Sequence, residues 1–230
     1  MTPNEETSIR MSGNFDQSTY GALLRHALLR SLAMDTKLPG GILTMQGMSG
    51  RKYRSLINNF IGSLSDARYL EIGSWAGSTA CSAIFGNKIR VRCIDNWSEF
   101  GGPKAHFLDN IHQVSSPVVD FQFIESDFRQ VDYSTIGKSN VYLFDGPHTE
   151  ADQFDGVMIA QPALDDHYVL IVDDYNWQEV RDGTHRAIKT LGASVECAIE
   201  IRTTHDNSHP LNGMQTSDWH NGYYLAVCHK

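Results

Sequence analysis

The chain of 230 residues contains no unbroken apolar run of the roughly 18 residues needed to cross a bilayer, so no segment is expected to span a membrane. Basic charge is scarce as well: 19 Lys and Arg stand against 27 Asp and Glu, a net charge of -8. Binding to a phosphate backbone calls for a basic patch or stripe, so nucleic acid is not an expected partner. Cysteine is sparse and scattered. Cys81, Cys93, Cys197 and Cys228 form no Cys-x-x-Cys pair, and each falls within an apolar stretch. That distribution fits small buried thiols better than disulfides, and a reducing, cytoplasmic setting follows as an expectation. Residues 1–17 are polar and acidic without the apolar centre of a secretion signal, and are expected to be a flexible N-terminus. No repeat and no low-complexity tract interrupts what remains.

What is present is enough apolar material, 41% of residues, for the core of one α/β domain with a small cap. Residues 18–34 carry apolar side chains at helical spacing behind Ser18, a good N-cap. The Leu38-Pro-Gly-Gly41 break follows, and then a second helical pattern over 51–63. Residues 18–64 therefore read as an N-terminal helical cap and 65–230 as the main domain. In that domain apolar strands are expected at 67–72, 89–94, 119–124, 140–145 and 167–173, mostly separated by helical stretches. Alternating strands and helices imply a parallel sheet covered on both faces. Two late strands, 195–202 and 222–228, are joined by a long polar loop and read as an antiparallel hairpin at the end of the sheet. The apolar helix at 18–34 could pack on a second copy of the chain, making a homo-oligomer possible.

Residues 69–77, Tyr-Leu-Glu-Ile-Gly-Ser-Trp-Ala-Gly, are the most informative stretch. A strand ends, a glycine opens a tight turn, and a second glycine follows four positions later where a helix begins. Strand, Gly-rich turn and helix N-terminus together make a nucleotide-type cradle. The spacing is Gly-x-x-x-Gly, and Trp75 stands where a dinucleotide site needs a glycine to let backbone approach a pyrophosphate. An adenosyl ligand without a pyrophosphate suits this turn better. The Glu-x-Gly-x-x-x-Gly pattern resembles motif I of the class I S-adenosylmethionine-dependent methyltransferases. The resemblance covers roughly residues 45–230 and implies a Rossmann-like, doubly wound, seven-stranded sheet, mostly parallel, with helices on both faces.

In open α/β sheets, ligands sit outside the carboxyl ends of the strands. Gly73 and Gly77, with Ser74 between them, shape the first loop; Glu71, at the strand end, is counted with them as a cofactor-binding residue, the alternative being a structural acid that bonds loop amides. Asp95 ends the second strand of the repeating series, where an acid can accept bonds from both ribose hydroxyls, the role the family gives that position. Asp127 ends the third and could receive the adenine amino group. Met45-Gln-Gly-Met-Ser49, with Met48 at its tip, resembles the segment that covers the methionine part of the cofactor in catechol-type O-methyltransferases.

Residues 140–148 read Asn-Val-Tyr-Leu-Phe-Asp-Gly-Pro-His, and 168–177 read Tyr-Val-Leu-Ile-Val-Asp-Asp-Tyr-Asn-Trp. Neighbouring parallel strands lie about 4.8 Å apart, so Asp145, Asp173 and Asp174 crowd into one volume and raise one another's pKa. A hard divalent cation resolves that conflict, and oxygen ligands favour Mg²⁺, Mn²⁺ or Ca²⁺. Thr149 is the better cap for the following helix, which leaves Asp145 free, whereas Asp174 or Asn176 could instead cap the helix from Gln178 onward. His148, three residues after Asp145, is the candidate base, paired with Asp145 as the catalytic residues. The Asp-x-x-base spacing resembles metal-dependent O-methyltransferases: catechol-type members place a lysine there, and macrolide sugar O-methyltransferases use Asp-Gly-x-His. Pro147 departs from sugar-branch members that carry an acid at that position, so an acid or His148 remains open as the base.

Trp97–Lys104 could form a wall over the site, Tyr175-Asn-Trp177 follows the acids directly, and the loop over 203–221 could act as a lid. His205 and His209 in that loop are read as exposed polar residues in preference to a zinc site. These readings converge on an S-adenosylmethionine- and divalent-metal-dependent O-methyltransferase acting on a hydroxyl of a small molecule, a vicinal diol such as a sugar or polyphenol. The alternatives are a Rossmann-like enzyme of another class, hydroxylase-like or NAD-dependent, and a catalytically silent S-adenosylmethionine-binding protein.

Overall fold

The computed structural model of the chain describes residues 7–211 and 217–230. In chain order the elements are β1 (Ser8–Gly13), α1 (Thr19–Leu32), α2 (Gly40–Leu43), α3 (Arg51–Ser63), β2 (Ala67–Ile72), α4 (Ser78–Ile84), β3 (Ile89–Asp95), α5 (Lys104–Val114), β4 (Val119–Glu125), β5 (Ser139–Phe144), α6 (Glu150–Ile159), β6 (Leu164–Val172), α7 (Gln178–Leu191), β7 (Ser194–Arg202) and β8 (Tyr223–His229). The strands form one mixed sheet in the order β1-β7-β8-β6-β5-β2-β3-β4. From β2 the chain first builds outward through β3 and β4, then returns to the other side of β2 with β5 and β6. The strand order therefore reverses between β2 and β5, the place where open α/β sheets leave a crevice at their carboxyl ends. The C-terminal hairpin is β7 and β8; β8 lies antiparallel to both β6 and β7.

The architecture is the Rossmann-like α/β fold expected, with one strand more than the seven anticipated. The extra strand comes from residues 1–17, which were expected to be flexible throughout. Ser8–Gly13 instead pairs antiparallel with β7, from Ser8 opposite Arg202 to Gly13 opposite Cys197. Residues 1–6 lie outside the described residues. The reason is a backbone demand that hydrophobicity does not register: without β1, the long β7 would present an unpaired edge. Of the strand's side chains only Ile9 packs on the core, so its sequence looks polar although its backbone pairs with β7 along its whole length.

Two apolar layers sandwich the sheet. On one face Leu24, Leu28, Leu56, Phe60, Ile84 and Phe107 from α1, α3, α4 and α5 pack on Tyr69, Val91, Val141 and Ile171. On the other, Val157, Val180 and Ile188 from α6 and α7 pack on Leu70, Ile94, Tyr142 and Leu170. Burying one such aliphatic side chain contributes about 1.5–3 kcal/mol. The helices at 18–64 thus share the core of the sheet. The helix starts follow side-chain chemistry: Ser18 Oγ accepts from the Gly21 amide at 3.0 Å, and Thr149 Oγ1 accepts from the Asp152 amide at 3.1 Å. All four cysteines are buried and free. Among the described residues no helix is long and apolar enough to cross a membrane.

Candidate active site

The register places the candidate residues before any side chain is considered. Ile72 lies opposite both Ile94 and Phe144, and Phe144 opposite Val172. The next residues along, Gly73, Asp95, Asp145 and Asp173, therefore form one row at the carboxyl ends of four adjacent parallel strands. Backbone bonds tie the row together: the Gly73 amide donates to Ile94 O at 3.0 Å, Asp145 to Ile72 O at 2.9 Å, and Asp173 to Phe144 O at 3.3 Å. Gly73 has φ +87°, and a Cβ there would stand 1.8 Å from the Asp145 carbonyl oxygen. The strand ends approach this closely only because the residue is glycine. Gly77 (φ +85°) precedes α4, with Phe107 against it.

At the β5 and β6 ends, charged groups meet one another. His148 Nε2 lies 2.5 Å from Asp174 Oδ2 and 3.9 Å from Asp145 Oδ1. Burial works against the imidazolium, but the neighbouring Asp145 and Asp174 carboxyls outweigh it and raise His148 to about 10. Asp145, 26% exposed at its side chain, is pushed up to about 6 by burial, with His148 opposing and Asp174 adding to the rise. Asp173 is buried and raised well above the usual carboxylate range by burial, then by Asp145 and Asp174. Asp174 is held below that range: burial alone would raise it, but His148 more than reverses the effect. The ligand atoms of Asp145, His148 and Asp174 all lie within 4.8 Å of one another. Asp173 stands outside that set, where a third aspartate was expected. Its Oδ1 turns back to accept the Asp174 amide at 2.7 Å, and the His148 imidazole lies beside the other two acids. Asp174 reaches the site through a left-handed backbone, φ +55°, and it caps no helix; the N-cap of α7 is Trp177, with no side-chain cap bond, so neither Asp174 nor Asn176 fills that role.

A cavity of about 300 Å³ runs along this row. Of the anticipated residues, Met48, Gly73, Asp95, Asp127, Asp145, His148, Asp173 and Asp174 line it; Glu71, Ser74 and Gly77 do not. Glu71 lies beneath the turn, accepts from Tyr69 OH at 2.5 Å, and is raised to about 7 by burial. Asp95 Oδ2 and Oδ1 accept the amides of Trp75 and Trp97 at 2.8 and 2.7 Å, and Asp127 Oδ1 accepts the Arg129 amide at 2.8 Å. Both acids thus hold loops in place and face the cavity with lone pairs to spare. The wall after β3 is made by Ser98, Glu99 and Phe100, whereas Trp97 packs inward on Phe107 and Phe123. From the loop expected over 203–221, His209 and His220 line the cavity and His205 does not; residues 212–216 lie outside the described residues. Trp177 meets the His148 ring edge-on at 5.1 Å between centroids.

Sequence reasoning missed Phe128, Arg129 and Asn221. Asn221 is wholly buried and donates to Asp174 Oδ1 at 2.7 Å, while Asn176 donates to Asn221 at 2.9 Å. The Asn-Gly pair at 221–222 was the available signal, a turn at the mouth of a strand.

The arrangement can hold an adenosyl group on one side, through apolar Ile72, Ile94 and Phe128 with Asp95 and Asp127 as acceptors, and a divalent cation on the other. No protein-family profile matches the chain, and none of the curated proteins does. Solved structures do match. TomG, an O-methyltransferase from Streptomyces achromogenes involved in tomaymycin synthesis and solved with S-adenosylmethionine, aligns over 94% of this chain and 92% of its own at 13% identity and a TM-score of 0.56. The chain shares the methyltransferase fold. PH1948 from Pyrococcus horikoshii, provisionally named an RNA methyltransferase, aligns over 93% and 98% at 14% identity and a TM-score of 0.53. TrmN from Thermus thermophilus aligns over 82% of this chain at 13% identity and a TM-score of 0.54; the chain spans about half the length of TrmN (51%). At these identities the likeness is one of fold, shared by proteins with small-molecule and RNA names alike.

Proposed function

We propose that this chain is an S-adenosylmethionine-dependent O-methyltransferase that acts on a hydroxyl of a small molecule, a vicinal diol such as a sugar or polyphenol, with a divalent cation held at Asp145 and Asp174. The observation that carries this reading is one continuous chamber. It joins the Gly73 turn, Asp95 and Asp127 to a cluster of acids and imidazole at the adjacent strand ends. Trp75, at φ +41° and lining the same chamber, occupies the place where a dinucleotide site needs glycine, which speaks against an NAD-dependent enzyme.

S-Adenosylmethionine, when bound, supplies an electrophilic sulfonium methyl, and a cation such as Mg²⁺, when bound, acidifies and orients a hydroxyl. The chain's own residues do the rest. Asp95 and Asp127 accept hydrogen bonds from the ribose and adenine. Trp177 and His209 flank the acceptor space beside His148. In the reaction an O–CH₃ bond forms as the S–CH₃ bond breaks, and the hydroxyl proton leaves to a base. His148 takes that proton in this reading, and the acids around it set when it is available. With no cation, Asp145 and Asp174 keep the imidazole protonated; a cation drawn to the same carboxylates competes with that proton. Among the described residues, the acidic residues Asp95, Glu99, Asp127, Asp145 and Asp174 line the chamber against a single arginine, Arg129. With the net charge of -8 they favour a neutral or cationic acceptor over nucleic acid.

The test is a mass-spectrometric search for the gain of one methyl on catechol and on methyl glycosides, with S-adenosylmethionine and Mg²⁺, with and without chelator. Methylation that chelator abolishes is the expected result. Binding of NAD but not S-adenosylmethionine would overturn the reading, and methylation indifferent to chelator would remove the cation from it.

A further inference from the structure

Arg54, in the first turns of α3, is 0% exposed, yet all its described hydrogen bonds run to neutral oxygens. Burial lowers it only to about 10, so it stays cationic at neutral pH. A buried guanidinium without a carboxylate is costly unless its donors are well used. Here they gather one segment. Nη1 donates to the carbonyls of Ile42, Leu43 and Met45 at 2.9, 3.3 and 2.8 Å, Nη2 reaches Gly47 O at 3.5 Å, and Nε donates to Ser49 Oγ at 2.9 Å. Beyond α2 this segment has only turns and bends to order it.

The same segment is seated against the Gly-rich turn. Ser49 Oγ lies 3.0 Å from Ser78 Oγ, and Ser78 opens α4 directly after Gly77. A Cβ on Gly47 would stand 2.0 Å from Ser78 Oγ, so the backbone approaches as closely as it can. Met48, between these two contacts, lines the chamber.

We infer that Arg54 is a positioning residue for cofactor binding: it holds the segment over 42–49 in shape against α4, so that Met48 closes the chamber before any ligand arrives. This rests on the reading of that chamber as an S-adenosylmethionine site. Preorganisation of this kind raises affinity by removing the ordering cost from the binding step. Lysine, a single donor centre on a flexible stem, cannot span the same carbonyls, so the role is specific to the planar fork.

The test titrates the full chain with S-adenosylhomocysteine by calorimetry, with Arg54→Met and Arg54→Lys alongside. Arg54→Met is expected to weaken binding about tenfold, and Arg54→Lys, which restores a cation and part of the bonding, about threefold. A merely structural arginine would lower the melting temperature of both variants and leave the affinity of the folded protein unchanged, and that result overturns the inference. Hydrogen exchange on the unsubstituted, ligand-free chain covers the case in which the variants do not fold. The amides of Ile42, Leu43, Thr44 and Met45, all bonded within the turn, should exchange slowly there, and fast exchange overturns the inference without any variant. Absence of S-adenosylhomocysteine binding to the unsubstituted chain overturns the cofactor reading itself. Equal affinity in Arg54→Met overturns the role of Arg54 alone.

Discussion

The two halves of the chamber satisfy their carboxylates in opposite ways. On the β3 and β4 side, Asp95 and Asp127 are held by backbone amides. On the β5 and β6 side, Asp145, Asp173, Asp174 and His148 act on one another electrostatically, with the Asp174 amide and Asn221 adding one bond each. Those amides belong to the loops themselves, so the geometry of the first half does not depend on a neighbouring charge. A cluster of mutually dependent charges redistributes its protons when a cation, a proton or a substrate enters. Both halves use strained backbone to aim their groups: Trp75 and Trp97 sit at φ +41° and +49° in the first, Asp174 and His220 at φ +55° and +43° in the second. The difference suits a fixed cradle for a constant cofactor beside a responsive centre for chemistry.

The comparison breaks most easily at Asp145. Asp145→Asn should lower Mg²⁺-dependent methyl transfer about 10³-fold, by removing both a cation ligand and a partner of His148. Calorimetry should find S-adenosylhomocysteine affinity within about twofold of the parent, because the halves are separately held. Equal losses in both would show that the halves are one cooperative unit. His148→Gln should cost about 10²-fold in turnover. It also carries a pH signature in chelator. The folded protein raises His148 from 6.5 to about 10, so the imidazolium contributes stability in full below pH 6.5, and that contribution is lost as pH rises through about 10. Denaturant titrations of the parent chain should show this decline between those values, and His148→Gln should flatten it; an unchanged slope would mean that His148 is not held by the two acids.

The first half was the more legible of the two from sequence, for a physical reason. A strand, a glycine turn and an acid at the next strand end are local patterns, and parallel register carries Gly73 and Asp95 into one row. In the second half, Asp145 and Asp173 could be foreseen as neighbours because β5 and β6 were both readable as apolar runs. That His148, and not Asp173, lies close beside both Asp145 and Asp174 could not. It depends on a left-handed turn at Asp174 and on Asn221, which arrives from the hairpin 47 residues away. The β1 strand escaped notice because an edge strand is selected by its neighbour's unpaired backbone and needs little apolar sequence of its own.

Smaller changes sharpen the cofactor side. Asp95→Asn should weaken S-adenosylhomocysteine about tenfold, since the acid gives up a charged acceptor for the ribose and one of its two amide contacts at once. The tryptophan fluorescence of the free protein should shift with it, because both tied amides belong to tryptophans. Asp127→Asn is the finest test. Asp127 N-caps the single turn at Phe128–Gln130 through the Arg129 amide, and asparagine caps as well as aspartate, so stability should change by no more than about 0.5 kcal/mol. What remains is the loss of one acceptor facing an adenine amino group, about threefold in affinity. A loss as large as that of Asp95→Asn would mean that Asp127 orders the whole adenosine side; no loss at all would reduce it to its capping bond and move the adenine contact elsewhere on the β4 end.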